Sequence, residues 1–304
     1  MNTRQKKGFV YTLTGSVGWG ISGVSGQFLF DHYGMSANWL TSIRMLISGI
    51  LLLLLAYYKG QNLTGMWKNR EDRRDIFLFS IFGLLLCQAT FLGAIKYSNS
   101  GTATVLQSLN VVFMSIITAL LSRSWLSKKQ ILSIVLALFG TFLLTTNGEI
   151  TSLNLSPLAL VLGLLSAVGL VIYTLLSHGI ISRWGSLPIT GWGMLIGGIL
   201  YAIPSRIWEL PSTLDWFSAF MIFIIISVGT VLSFSVFLEG VKYIGPVKAT
   251  LIGCSEPCSA AILAFLFLGT RLSLLESIGF ALIILAVVLT VSNVSLKRKW
   301  HKTN

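Results

Sequence analysis

Residues 91–109 read FLGAIKYSNSGTATVLQSL, and residues 237–255 read FLEGVKYIGPVKATLIGCS, the same segment in altered letters. Aligned without a gap, Phe91-Leu92 falls on Phe237-Leu238, Lys96-Tyr97 on Lys242-Tyr243 and Ala103-Thr104 on Ala249-Thr250, at an offset of 146. The register continues outward, with Leu126-Ser127 on Leu272-Ser273. At an offset of 149, Thr41, Met45-Leu46-Ile47 and Gly49-Ile50-Leu51 meet Thr190, Met194-Leu195-Ile196 and Gly198-Ile199-Leu200. The chain is a tandem duplication. In a strongly apolar protein, two half-molecules packed face to face build a substrate path between them.

The chain is strongly apolar. Of its 304 residues, 54% are hydrophobic and 11% charged, against about 25% charged in a typical soluble domain. Too few charges remain to cover a water-facing surface, so the chain reads as an all-α integral membrane protein. Its 29 Gly and 6 Pro agree, because small residues let membrane helices approach closely. Apolar runs of about 20 residues predict ten spans, near 8–30, 36–58, 74–95, 100–122, 129–147, 156–177, 188–207, 214–238, 246–268 and 273–295. The first is long enough to span and is expected to stay, not to be cleaved as a signal.

The net charge of +12 invites a nucleic-acid reading, which its placement removes. With the N-terminus inside, 18 of the 22 Lys and Arg fall on the cytoplasmic side; Lys96, Arg206 and Arg271 fall outside and Arg44 within a helix. That bias is the positive-inside signal. It predicts cytoplasmic termini in a cell membrane, with the bilayer and not a nucleic acid as partner. Five spans per half is an odd number, so the halves, 1–147 and 157–304, are expected to be inverted relative to each other around an outer linker at 148–156. Such inverted repeats are the architecture of alternating-access carriers.

Glu256-Pro257 lies about ten residues into the ninth span, near the bilayer midplane. An ionisable group there faces a cavity, partner or substrate, and Pro257 leaves the Gly253 carbonyl without its helical donor and kinks the helix. Glu256 reads either as a cation, proton or amine site or as a protonated cap on those carbonyls. The first half has Asn110-Val111 at the matching places, so the kink is expected once. Arg44, with Gly193 as its counterpart, reads either as a contact for a substrate carboxylate or as a side chain snorkelling to outer headgroups. Trp19, with Tyr173 and Trp192 at comparable places in the second half, could wall a cavity or simply pack. Gln88, Gln107 and Asn110 are candidate polar lining, with interhelical hydrogen bonding as the competing account. Glu239 and Lys242, three apart, read as a local ion pair. Cys87, Cys254 and Cys258 read as buried packing residues; neither a metal nor a cofactor is called for. His32, His178 and His301 are placed in loops or the tail, which argues against an intramembrane enzyme.

Together, Trp19-Gly20, Arg44, Ala94-Ile95-Lys96-Tyr97-Ser98 and Ser255-Glu256-Pro257, on ten spans in two halves, resemble the drug/metabolite transporter superfamily, EamA type. The family pattern commonly carries a Pro in the fourth span, absent from Asn110-Val111, and Glu after the fourth and ninth, where Ser124 and Thr270 stand here. The resemblance implies secondary transport of a small metabolite, often amino acid export, through a cavity between the repeats. The expectation is a carrier for an amino acid or related compound, with proton coupling and a homodimer left open. Uptake of an organic cation such as a quaternary amine is the alternative, and a non-transporting scaffold the alternative of another class.

Overall fold

The computed structural model describes residues 3–123, 125–152, 156–211, 214–260, 262 and 273–292. Among them the fold is entirely helical, with α1 Thr3–Tyr33, α2 Ala37–Tyr58, α3 Arg70–Lys96, α4 Ser100–Leu121, α5 Lys128–Thr146, α6 Pro157–Trp184, α7 Ser186–Ala202, α8 Trp216–Ile244, α9 opening with Pro246–Gly253, and α10 Leu274–Ser292. These helices fall where the spans were expected. Six of them, α2 to α6 and α8, are long and apolar enough to cross a membrane. The 31-residue α1 is not among the six: its buried face is made of small residues such as Gly15, Ser16, Gly18, Gly20 and Ser22. Ser124, Thr270 and the basic tail, His301 included, lie outside the described residues.

Helix ends follow local chemistry. Ser36, Asn69, Asn99, Ser127, Ser156 and Asp215 each accept a backbone N–H in the first turn of the helix that follows, satisfying donors that a helix start leaves open. Gly185, at φ 88°, makes the two-helix corner between α6 and α7 that a Cβ would strain. His32 and His178 were expected in loops; both lie in helices, His32 in the last turn of α1 and His178 within α6.

The packing repeats with the sequence. Helices α2 and α7, α4 and α9, and α5 and α10 pack on their own counterparts, while α1 packs on α8 as α3 packs on α6. Residue by residue, a Cβ on Gly18 would fall against Ser233 and one on Gly169 against Cys87; Cys87 and Ser233 correspond at the offset of 146, and Gly18 and Gly169 at 151. Gly49 meets the Leu195 backbone as Gly198 meets that of Leu46. Where lipid offers no hydrophobic gain over protein, such close approaches supply the van der Waals contact that joins membrane helices.

Two irregularities also recur. A π-helical segment interrupts α3 at Phe79–Leu85 and α8 at Ser227–Leu232. In the second, Thr230 and Ser233 donate to carbonyls five residues back, Ile225 and Val228, at 2.8 and 2.6 Å, which gives oxygens inside the wider turn a partner. Gly83 and Gly229, in matching places of the two segments, press on Tyr173 of α6 and Ser22 of α1. The second irregularity corrects an expectation. The kink was assigned to the second half alone because only Pro257 signals it, yet α4 also breaks, at Leu109, opposite the Cys254–Ser255 turn of α9.

Candidate functional site

The two breaks bring polar groups to the centre of the fold. After the α9 turn the helix resumes at Glu256, and Gly20 of α1 gives the Glu256 carbonyl room: a Cβ there would stand 2.7 Å from that oxygen. Ser259 then donates to the Glu256 carbonyl at 2.7 Å and to Val17 of α1 at 3.2 Å. At the α4 break, the Asn110 amide donates to the Gln107 carbonyl at 2.6 Å. Pairs of broken helices at one depth are how transporter folds expose backbone and side-chain polarity to a ligand.

Two adjoining slim cavities lie here, each with room for roughly one or two waters. Both are lined by Trp19, Gln107, Leu170 and Glu256. The first reaches Asn110, Gly253 and Pro257 at the breaks, and the second reaches Arg44, Cys87 and Gln88. Arg44 is 4% exposed and its Nε donates to Gln88 Oε1 at 2.6 Å, so it does not snorkel; the headgroup reading is set aside by its inward course. Gln88 is held in turn against Met194 Sδ, at 2.9 Å. Gln107 donates to Ser166 of α6 at 2.5 Å.

Neither Arg44 nor Glu256 belongs to any of the ion pairs found among the described residues. Glu256 is 7% exposed. A buried acid and a buried guanidinium thus face one small space without neutralising each other directly, a costly arrangement in hydrocarbon. The indole N–H of Trp19, Asn110 Oδ1 and the Ser255 hydroxyl have no protein partner either. Buried polar atoms are normally satisfied, so these open valences call for water or a ligand.

The aromatic expectations divide. Trp19 lines both cavities and packs on Phe234 and Phe237, with ring centres 5.0 and 4.5 Å away. Tyr173 is one ring removed, behind Phe234 and Phe237 and stacked on Phe79. Trp192 lies away from the cavities, edge-on to Trp67 with its N–H on the Leu63 carbonyl at 2.9 Å. From its place two turns into α7 it braces the α2–α3 connection. Cys87, Phe91, Phe234 and Phe237 were missed as lining. A signal was present for two of them: Phe91 and Phe237 are the same position of the duplicated stretch, as are Thr104 and Thr250, which both border the first cavity. The Glu239–Lys242 pair forms as expected, at 3.6 Å. Among the described residues no group of His, Cys, Asp or Glu suits a metal.

The model of the EamA-like transporter family matches residues 6–146 and again residues 157–292. The chain belongs to the EamA-like transporter family. It is 36% identical over 288 residues to the uncharacterized inner membrane transporter YicL of Salmonella typhimurium, covering 93% of this chain and 95% of that one. The uncharacterized transporter YyaM of Bacillus subtilis is 27% identical, with 82% of each chain covered. A solved crystal structure superposes with a TM-score of 0.78 over 93% of this chain and 96% of its own; at 15% identity it speaks for the fold alone. This EamA-like protein is therefore a multi-pass membrane protein of a transporter family.

Proposed function

We propose that the protein is a secondary carrier for an amino acid or a closely related zwitterion, working by alternating access. Its ten helices cross the cell membrane as two inverted five-helix repeats, 1–147 and 157–304, joined by an outer linker at 148–156, with both termini cytoplasmic. What carries this reading is that Arg44 and Glu256 line one small cavity. A zwitterion matches that pairing, its carboxylate to the guanidinium and its ammonium to the carboxylate, while Trp19, Phe234 and Leu170 supply an apolar wall. The exchange of contacts between the halves supports the inverted-repeat reading, and the charge bias supports the orientation. Glu256, once its ammonium partner leaves, is the group placed to take up a proton, which would couple flux to the proton gradient. Export is the direction that the resemblance favours.

The test is counterflow into proteoliposomes loaded with unlabelled amino acids, polyamines, quaternary amines or sugars. Amino acids alone drive accumulation if the reading holds. An organic-cation carrier is the second reading, favoured by the facing of Trp19 and Glu256; it is established instead if quaternary amines accumulate and Arg44→Gln leaves that flux intact. Folded protein that accumulates nothing from any class returns the scaffold reading.

A further inference from the structure

Each end of the helix bundle is closed by an aspartate from one half meeting the last residue of a helix from the other. On the end that carries the α6–α7 corner, Asp72, in the first turn of α3, is 2% exposed. It accepts from Arg183 Nη2 at 2.7 Å and from the indole N–H of Trp184 at 3.0 Å, and Asp75 approaches the same guanidinium at 3.8 Å. At the opposite end, Asp215 caps α8 and accepts the Tyr33 hydroxyl at 2.9 Å. Trp184 ends α6 as Tyr33 ends α1, while Asp72 lies in the first turn of α3, three residues past its cap Asn69, and Asp215 is itself the cap of α8. The contacts join equivalent pairs of helices, α3 with α6 and α8 with α1, through aspartates that differ in position by three residues.

We propose that these are the two gate latches of the carrier, Asp72 with Arg183 and Trp184 on one face and Asp215 with Tyr33 on the other, and that their unequal strength sets which face opens first. This rests on the alternating-access reading above. Both latches are made here, in keeping with the small size of the cavities. They differ in kind: the Asp72 latch is an ion pair on a buried carboxylate with an added indole donor, and the Asp215 latch is one neutral hydroxyl on an exposed carboxylate. Both bonds are charge-assisted, and the one with charge on both partners, a second donor and a buried carboxylate is the stronger. The empty carrier therefore rests with its Trp184 face closed and opens toward the Tyr33 face.

Cys87 borders the second cavity and reports on access to it. With Cys254 and Cys258 replaced by Ser, a membrane-impermeant maleimide is applied to either side of proteoliposomes, and single cysteines at exposed Lys68 and Lys96 mark the Trp184 and Tyr33 faces. Wild type should label faster from the Tyr33 face. Asp72→Asn should raise labelling from the Trp184 face by about tenfold, the factor expected when a bond of this class is lost, without raising it from the other. Tyr33→Phe should raise only Tyr33-face labelling, and by less. Arg183→Gln, changed on the exposed side of the latch, serves if Asp72→Asn does not fold. Rates that rise equally from both faces, or do not move, while wild-type Cys87 is reached from each, overturn the latches and leave alternating access standing. Cys87 that is never reached in any folded variant, with the marker cysteines labelled, removes alternating access itself.

Discussion

Replacing Arg44 with Gln separates a substrate contact from a packing residue, because the two roles predict opposite partitions between stability and affinity. The visible protein contact of the guanidinium is one charge-assisted bond, Nε to Gln88 Oε1 at 2.6 Å, and such a bond contributes about 1.5–3 kcal/mol. Against that loss stands the relief of a buried charge with no ion-pair partner, whose desolvation costs several kcal/mol. The two nearly cancel, so the melting temperature of Arg44→Gln in detergent should stay within a few degrees of wild type. Affinity has no such offset. Truncating one partner of a desolvated charge pair costs about 2–5 kcal/mol, which at 1.4 kcal/mol per decade is about 30-fold to over 1,000-fold in Kd. The assay is thermal unfolding alongside counterflow at graded substrate concentration. Arg44→Lys, which keeps a charge but not the fork, should fall between the two. A variant that melts far lower yet transports with wild-type KM would refute the carboxylate role and make Arg44 structural.

Glu256→Gln should fold normally, since no protein ion pair is lost, but abolish or uncouple flux; full proton-coupled transport in that variant takes Glu256 out of the mechanism. Gly140→Leu should destabilise by about 1–3 kcal/mol, because a Cβ there meets the Gly279 carbonyl at 2.8 Å on the α5–α10 contact; unchanged thermal unfolding contradicts that packing. Trp192→Phe should give up only the bond to Leu63, about 0.5–1.5 kcal/mol, and leave KM unchanged, so a raised KM would return Trp192 to the site. The Asp215 carboxyl is held below the usual carboxylate range, chiefly by the Ser218 backbone N–H, with burial opposing and the Ser218 and Tyr33 hydroxyls adding to it. Its contribution is full above the unfolded value near about pH 4 and is lost as pH falls through the lower folded value. Hydrogen exchange in the first turn of α8, corrected for intrinsic rates, should thus show constant protection from pH 7 to pH 5. Protection lost within that range contradicts the cap.

The helices were legible because hydropathy and duplication report the same boundaries twice. The stretch at 91–109 locates both the α3–α4 turn and, through its copy, the α8–α9 turn. The site was legible wherever a polar residue stood in an apolar run: Arg44, Gln88, Gln107, Asn110 and Glu256 all reach the cavities. Depth was harder to read than polarity. Trp192 has no mark in the sequence of the loop carbonyl, that of Leu63, which its indole N–H meets. The break at Leu109 and the π segments carry no marker such as Pro257; within the π segments Gly83 and Gly229 press on Tyr173 and Ser22 of the opposite half. Phe234 and Leu170 look like any core residue until the neighbours that leave a gap beside them are known.

Helices that pack on their own counterparts place equivalent residues near one axis, and Asn110 and Glu256 both border the same cavity from such positions. Had both halves kept the acid, a bound zwitterion could lie head-to-tail or tail-to-head with equal energy. Two like charges would also have to share one small space. A single covalent chain escapes that degeneracy, because its halves mutate independently: with amide on one side and carboxylate on the other, the cavity acquires a polarity. On the carrier reading, a cargo with two distinct ends then has one preferred pose.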